Sequence, residues 1–166
     1  MLKKIVLAVL VALPMMVSAQ TVKIGLVDAN AVMASLPAYT EATTKLETIA
    51  KKYEEESRKL QAELQRLYEE YQAMGQDALP AIRERKEQDI VACQQKIESF
   101  NMKAREDLNR QQEAEMSPIM ASVQNAIQSV GKEGGYAIIQ DLAAVYFYGA
   151  PAEDITAAVK AKLGVK

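Results

Sequence analysis

The chain has no His, no Trp and a single Cys, Cys93, and aromatic residues make up only 5% of its 166 positions. Without an imidazole, one protomer has no His general base, no His-ligated zinc and no Ser-His-Asp relay. A lone thiol excludes a CxxC redox pair and an intramolecular disulfide framework. A charge excess of one sign is lacking too: 20 Lys and Arg face 22 Asp and Glu, a formal net charge of -2. Nucleic-acid binders draw affinity from neutralising phosphates, which needs the opposite balance. No phosphate-cradling Gly-rich loop is present either, so work driven by ATP is not expected. These absences predict no enzyme, no cofactor, no metal and no nucleic-acid partner, and leave a protein that works by binding.

What is present begins with an address. Lys3 and Lys4 precede an apolar run from Ile5 to Val17, and Val17, Ser18 and Ala19 supply small residues before Gln20. This reads as a cleavable secretory signal over residues 1–19. At about 13 residues the run is short of the roughly 20 that span a membrane. No Cys follows it to carry a lipid. Without Lys3 and Lys4, 18 basic residues face 22 acidic ones, net -4.

Between Glu41 and Met116, Ala, Glu, Lys, Leu and Arg fill just over half of the positions, the composition of long helices and coiled coils. Tyr39, Leu46, Tyr53, Leu60, Leu67 and Met74 recur every seven residues, and Thr43, Ala50, Ser57, Leu64 and Tyr71 follow four residues after the first five. That alternation of threes and fours makes one apolar seam along a helix wound against a partner. The seam is strongest from Leu60 to Met74, because Thr43, Ala50 and Ser57 are small or polar. Glu47 with Lys51, Glu54 with Arg58 and Glu55 with Lys59 are acid-before-base pairs on the solvated face, each contributing about 0.2 to 0.5 kcal/mol.

Gly75 to Leu79 breaks the pattern, and Pro80 suits the first turn of a new helix, where its missing N–H costs nothing. The second helix carries Ile90, Cys93, Ile97, Phe100 and Ala104 at the same spacing and shifts register through Leu108. The prediction is an antiparallel hairpin about 50 Å long. Helical spacing continues past Pro118 through Ile119, Val123, Ile127 and Val130, so a bend is expected near Ser117. Gly131, Gly134 and Gly135 then end the helix.

Strand signals occur only at the ends. They are Val22 to Asp28, Tyr136 to Gln140, and Ala143 to Gly149 with its aromatic run Tyr146, Phe147 and Tyr148. Asp154 is placed to cap a last helix with Ile155, Val159 and Leu163 on one face. Asp28 and Asp141 end strands and read as turn or cap residues. Cys93 reads as seam packing, where a thiol behaves as a small hydrophobe. Three short strands and a small helix leave uncovered edges, so assembly with other copies is expected. The fold class is α+β, with residues 20–40 and 117–166 forming a discontinuous β-rich body and residues 41–116 an arm.

The opening "KIGLVD", a short helix ending at Pro37, the charged hairpin and the closing "GYAIIQDLAAVYFYGAPAEDIT" resemble the Skp/OmpH family over essentially the whole chain after residue 19. The likeness implies a periplasmic holdase chaperone, a trimer whose β-rich body carries three helical tentacles around a cavity for unfolded outer-membrane proteins. Ile24, Leu26, Ile138, Val145 and Phe147 would then belong to the oligomerisation body. Tyr68, Leu79, Ile82 and Met102, apolar and off the seam or near the tip, are candidate client contacts. Pro118 is the candidate pivot between arm and body, a static kink being the alternative. The hairpin from Leu46 to Glu115 carries 12 basic and 16 acidic residues, and Glu84 and Glu87 dilute the cluster Arg83, Arg85 and Lys86. Lipid and lipopolysaccharide contacts are therefore not expected. A structural or adaptor coiled coil of the envelope is the alternative function.

Overall fold

The computed structural model describes residues 22–75 and 78–165. The expected signal segment lies outside the described residues. The elements run β1 (Ile24–Val27), α1 (Ala29–Ala34), α2 (Pro37–Ala73), α3 (Pro80–Gly134), β2 (Ile138–Asp141), a 3-10 turn (Leu142–Ala144), β3 (Ala152–Asp154) and α4 (Thr156–Lys162). At 1.5 Å per residue, α2 extends about 55 Å and α3 about 80 Å. They pack antiparallel as the expected hairpin, and no described helix is long and apolar enough to cross a membrane.

The seam residues are where the heptads put them. From Tyr39 to Met74 each member of both series is at least half-buried, and Leu60 and Leu67 are buried. On α3, Ile90 and Cys93 are buried, and Ile97, Phe100, Ala104 and Leu108 are half-buried. Leu67, Ile90 and Cys93 form a small core flanked by Leu64, Tyr71 and Ile97. The Cys93 Sγ lies 3.9 Å from the Leu60 carbonyl oxygen, so the thiol is part of this packing. On the outer face, Arg58 pairs with Glu54 at 2.5 Å, whereas Lys59 reaches Glu56 rather than Glu55.

Helix boundaries follow local chemistry. Pro37 sits in the first turn of α2, so it opens the long helix rather than closing the short one. The expected role was reversed because proline is as well suited to beginning a helix as to following one. Pro80 opens α3 in the same way, and α3 continues across Pro118. It stops at Gly135, whose φ of 68° is a left-handed cap that glycine adopts without a Cβ penalty.

The body is a parallel three-stranded sheet in the order β2-β1-β3. Ile24 pairs with Ile138 on one side and with Ala152 on the other. Gly25, Leu26 and Val27 are all buried, as befits the middle strand of a parallel sheet. Gly25 faces Ile139, Ile155 and Tyr136, and a Cβ there would stand 3.1 to 3.3 Å from their side chains. The body core joins Val27 and Val32 to Val123, Ala126 and Val130 of α3 and to Ile155 and Val159. The proximal third of α3 thus belongs to the body and its distal part to the arm.

Two expectations about the C-terminal segment are corrected. Ala143 to Gly149 is not a strand: Leu142–Ala144 is a 3-10 turn and the aromatic run is irregular, with Tyr146 and Phe147 fully or largely exposed (108% and 87%). The third strand is the less apolar Ala152–Asp154. β-branched and aromatic composition reports how well a segment suits a strand and not which segment is brought against β1, whose two sides are taken by β2 and β3. Helix α4 begins one residue later than a cap at Asp154 requires, but the Asp154 carboxylate still accepts the Thr156 N–H at 2.8 Å.

Candidate functional site

Chemistry-bearing clusters are sparse. Among the described residues, no group of three or more acidic or thiol side chains could hold a metal ion. Asp28 accepts from the Ala31 N–H at 2.8 Å and caps α1, and Asp141 accepts from the Ala143 N–H at 2.8 Å and caps the 3-10 turn. The functional candidates are surfaces, and the arm carries most of them.

The arm has two regimes. Its distal half is held by the apolar core around Leu67 and Cys93. Its proximal half, where Ala50 and Ser57 are too small to fill the seam, is bridged by polar contacts. Tyr53 donates to Asp107 at 2.5 Å, Arg110 donates to the same carboxylate at 2.6 Å, and Ser57 donates to Asn101 at 3.2 Å. Tyr53 packs edge-on against Phe100 with ring centroids 6.0 Å apart. Lys45 pairs with Glu115 at the base. Open grooves of about 580 and 320 Å3 flank this stretch, and Tyr53, Phe100 and Ala104 line both. The hydrogen bond from Tyr53 holds the Asp107 carboxyl below the usual carboxylate range, with Arg110 acting in the same direction. The same bond pushes the Tyr53 hydroxyl up.

At the tip, Leu79 and Ile82 are both exposed and are joined by the hydrogen bond from the Ile82 N–H to the Leu79 carbonyl at 2.9 Å. Two members of the basic cluster are engaged within the arm. Arg83 lies 5.7 Å from the Tyr71 ring and donates to the Gly75 carbonyl, and Lys86 pairs with Glu70 at 2.5 Å. That bond from Lys86 holds the Glu70 carboxyl low.

The four expected contact residues are not one patch. Leu79 and Ile82 share the tip, whereas Tyr68 and Met102 are exposed partway down the arm. Gln94 Nε2 donates to the Tyr68 hydroxyl at 2.7 Å, which ties that ring to α3. Sequence reasoning missed two further exposed apolar residues on α3, Val91 and Met120. The signal that finds them is a second helical periodicity, away from the seam.

In the body, Leu26 is fully buried, Ile24 and Val145 are half-buried, and Ile138 and Phe147 are exposed. Tyr136 clips this end together: its hydroxyl donates to Glu153, which pushes the hydroxyl pKa up, and Lys23 stands 5.7 Å from its ring. Pro118 lies at the arm's base, lining a groove of about 580 Å3 with Leu36, Ala42, Ile119 and Leu163.

A long two-helix arm is rooted in a small parallel sheet. The profile of the family described as "Outer membrane protein (OmpH-like)" matches residues 23–163, and the chain belongs to that family. It is 30% identical over 151 residues to "Chaperone protein Skp" of Yersinia enterocolitica, covering 89% of this chain and 90% of the relative. The crystal structure of an OmpH-like protein from Caulobacter crescentus CB15 superposes with a TM-score of 0.71 at 16% identity, covering 86% of this chain and 83% of that one. That likeness establishes the fold, and the family membership supports a chaperone role.

Proposed function

We propose that the protein is a periplasmic holdase: a homotrimer, with no enzymatic activity and no need of ATP, that binds unfolded outer-membrane β-barrel proteins and prevents their aggregation before insertion. The observation that carries this reading is the separation of the two cores. The arm has its own packing around Leu67, Ile90 and Cys93 and does not rest on the sheet. An arm that does not fold back leaves room for a guest beside it. Strands of an outer-membrane protein alternate apolar and polar residues, so in water they aggregate through apolar faces and edges. Several arms around one chain would block both routes. Among the described residues the outer edges of β2 and β3 have no strand partner, and with the exposed Ile138, Tyr146 and Phe147 they support assembly through the body.

A structural or adaptor coiled coil is the competing reading. It would fill its seam evenly from end to end, whereas here the proximal half is bridged by Tyr53, Asp107, Ser57 and Asn101. The test is to purify the chain without residues 1–19, measure its mass in solution, and dilute a urea-unfolded porin into it while following light scattering. The expected result is a trimer mass and suppressed scattering. A monomer, or scattering unchanged by a molar excess, would remove the proposal.

A further inference from the structure

Beyond the tip, the large exposed hydrophobic residues of α3 are Val91, Met102 and Met120, and Met116 is half-buried. At 100° per residue, these four positions fall within a sector of about 40°, turned about 130° from the seam of Ile90, Cys93 and Ile97. One stripe, three of its four members Met, therefore runs down the free flank of α3 from the distal arm to the body. Tyr68, the exposed large hydrophobic residue of α2, joins the same flank through its hydrogen bond from Gln94. At the proximal end, Asn109, Met116, Met120 and Gln124 line a shallow depression of about 640 Å3.

We propose that this stripe is the surface on which an extended, uncharged or weakly charged segment of unfolded polypeptide lies along the arm. The inference rests on the holdase reading above and assigns its contact face. A second copy of the helix is a poor occupant: interhelical packing needs an apolar residue at every third or fourth position. Here Gln95, Glu98, Arg105 and Asn109 interrupt the stripe between Val91 and Met116. A phosphate-rich surface is a poor occupant too, because the interrupting residues carry both signs of charge. An extended chain needs no continuous seam. It can place an apolar side chain on each foothold and leave the intervening polar groups hydrated. Thioethers are flexible and polarisable, so the same footholds accept side chains of different shape. Each contact is weak, and together they bind by multivalency.

The test compares three proteins, all taken as the mature chain purified from cells that export it. They are the wild type, the variant Val91→Gln/Met102→Gln/Met116→Gln/Met120→Gln, and a control Lys96→Gln/Lys103→Gln off the stripe. The readouts are affinity for a urea-unfolded outer-membrane porin, helix content and mass in solution. The expected result is that the stripe variant binds about tenfold or more weakly at unchanged mass and helix content, while the control stays within about twofold. If wild type holds the porin and the stripe variant holds it equally well, the stripe is wrong and the holdase reading stands. If wild type does not hold the porin, both fail. A changed mass would place the stripe between copies and overturn the proposal. Should the variant lose helix, a photo-crosslinking amino acid at position 102 or 120 decides. Crosslinks to the porin from both positions and none from position 96 support the stripe, and the reverse pattern refutes it.

Discussion

Tyr53 on α2 donates its phenolic hydrogen to Asp107 on α3 at 2.5 Å, at the level where the small Ala50 and Ser57 thin the seam. The pair does at mid-arm what Leu67 and Cys93 do farther out, with a bond in place of buried area.

That bond makes the proximal arm sensitive to pH at both the acid and the alkaline end. The Asp107 carboxyl is held below its ordinary value, so its contribution is present above the carboxylate range and is lost as pH falls through the lowered folded value. The Tyr53 hydroxyl is raised, so its contribution is present below the ordinary Tyr range and is lost as pH rises through the raised value. Tyr53→Phe is expected to move the Asp107 pKa upward in a carbon-detected NMR titration and to speed amide exchange around Ser57 and Asn101. An unchanged Asp107 titration would show that the bond does not hold in solution.

Arm and body are expected to melt separately. Leu67→Ala removes a buried side chain from the distal core, at a cost of about 2 to 5 kcal/mol. Hydrogen exchange would show faster opening from Leu60 to Ile97 and unchanged protection at Leu26, Val130 and Val159. Equal loss of protection in the body would contradict independent cores.

The junction between α3 and β2 is tight at one atom. A Cβ on Gly131 would come within 2.8 Å of Ile139 Cδ1. Gly131→Ala overpacks this contact at a cost of about 1 to 3 kcal/mol, of which Ala's better helix propensity offsets about 1. Ile139→Val removes the offending methyl, so the double variant is expected to be more stable than the two single effects predict when added. Additive denaturation midpoints would place the strain elsewhere.

Client binding is expected to weaken only slightly with salt. The arm's charges are mixed, with 12 basic and 16 acidic residues from Leu46 to Glu115, and Lys86 and Arg83 are engaged within it, so no strong field of one sign steers an oppositely charged guest. A steep fall in affinity between low and physiological salt would show charge attraction to be dominant.

The arm was legible because its determinants are local and periodic. The spacing of Leu60, Leu64, Leu67 and Tyr71 sets both the helix and the face it buries, and Gly75 with Pro80 marks the turn. The contact stripe was half legible: Met102 stood out singly, but its alignment with Val91 and Met120 has meaning only once the seam's direction is known. The aromatic run Tyr146 to Tyr148 misled because composition reports how well a residue suits a strand and says nothing of which segment the fold brings against β1.

By itself, then, the sequence determined two long helices, their turn, and the face each buries, because these depend on neighbours three, four and seven positions apart. The sheet was decided only in three dimensions. β1 pairs with Ile138–Asp141, which overlaps a strand signal in the sequence, and with Ala152–Asp154, both more than a hundred residues away, and no local signal ranks the latter above the more strand-like run between them. Only when α3 delivers its C-terminal end beside β1 does the chain choose which backbone groups hydrogen-bond and which aromatics remain outside.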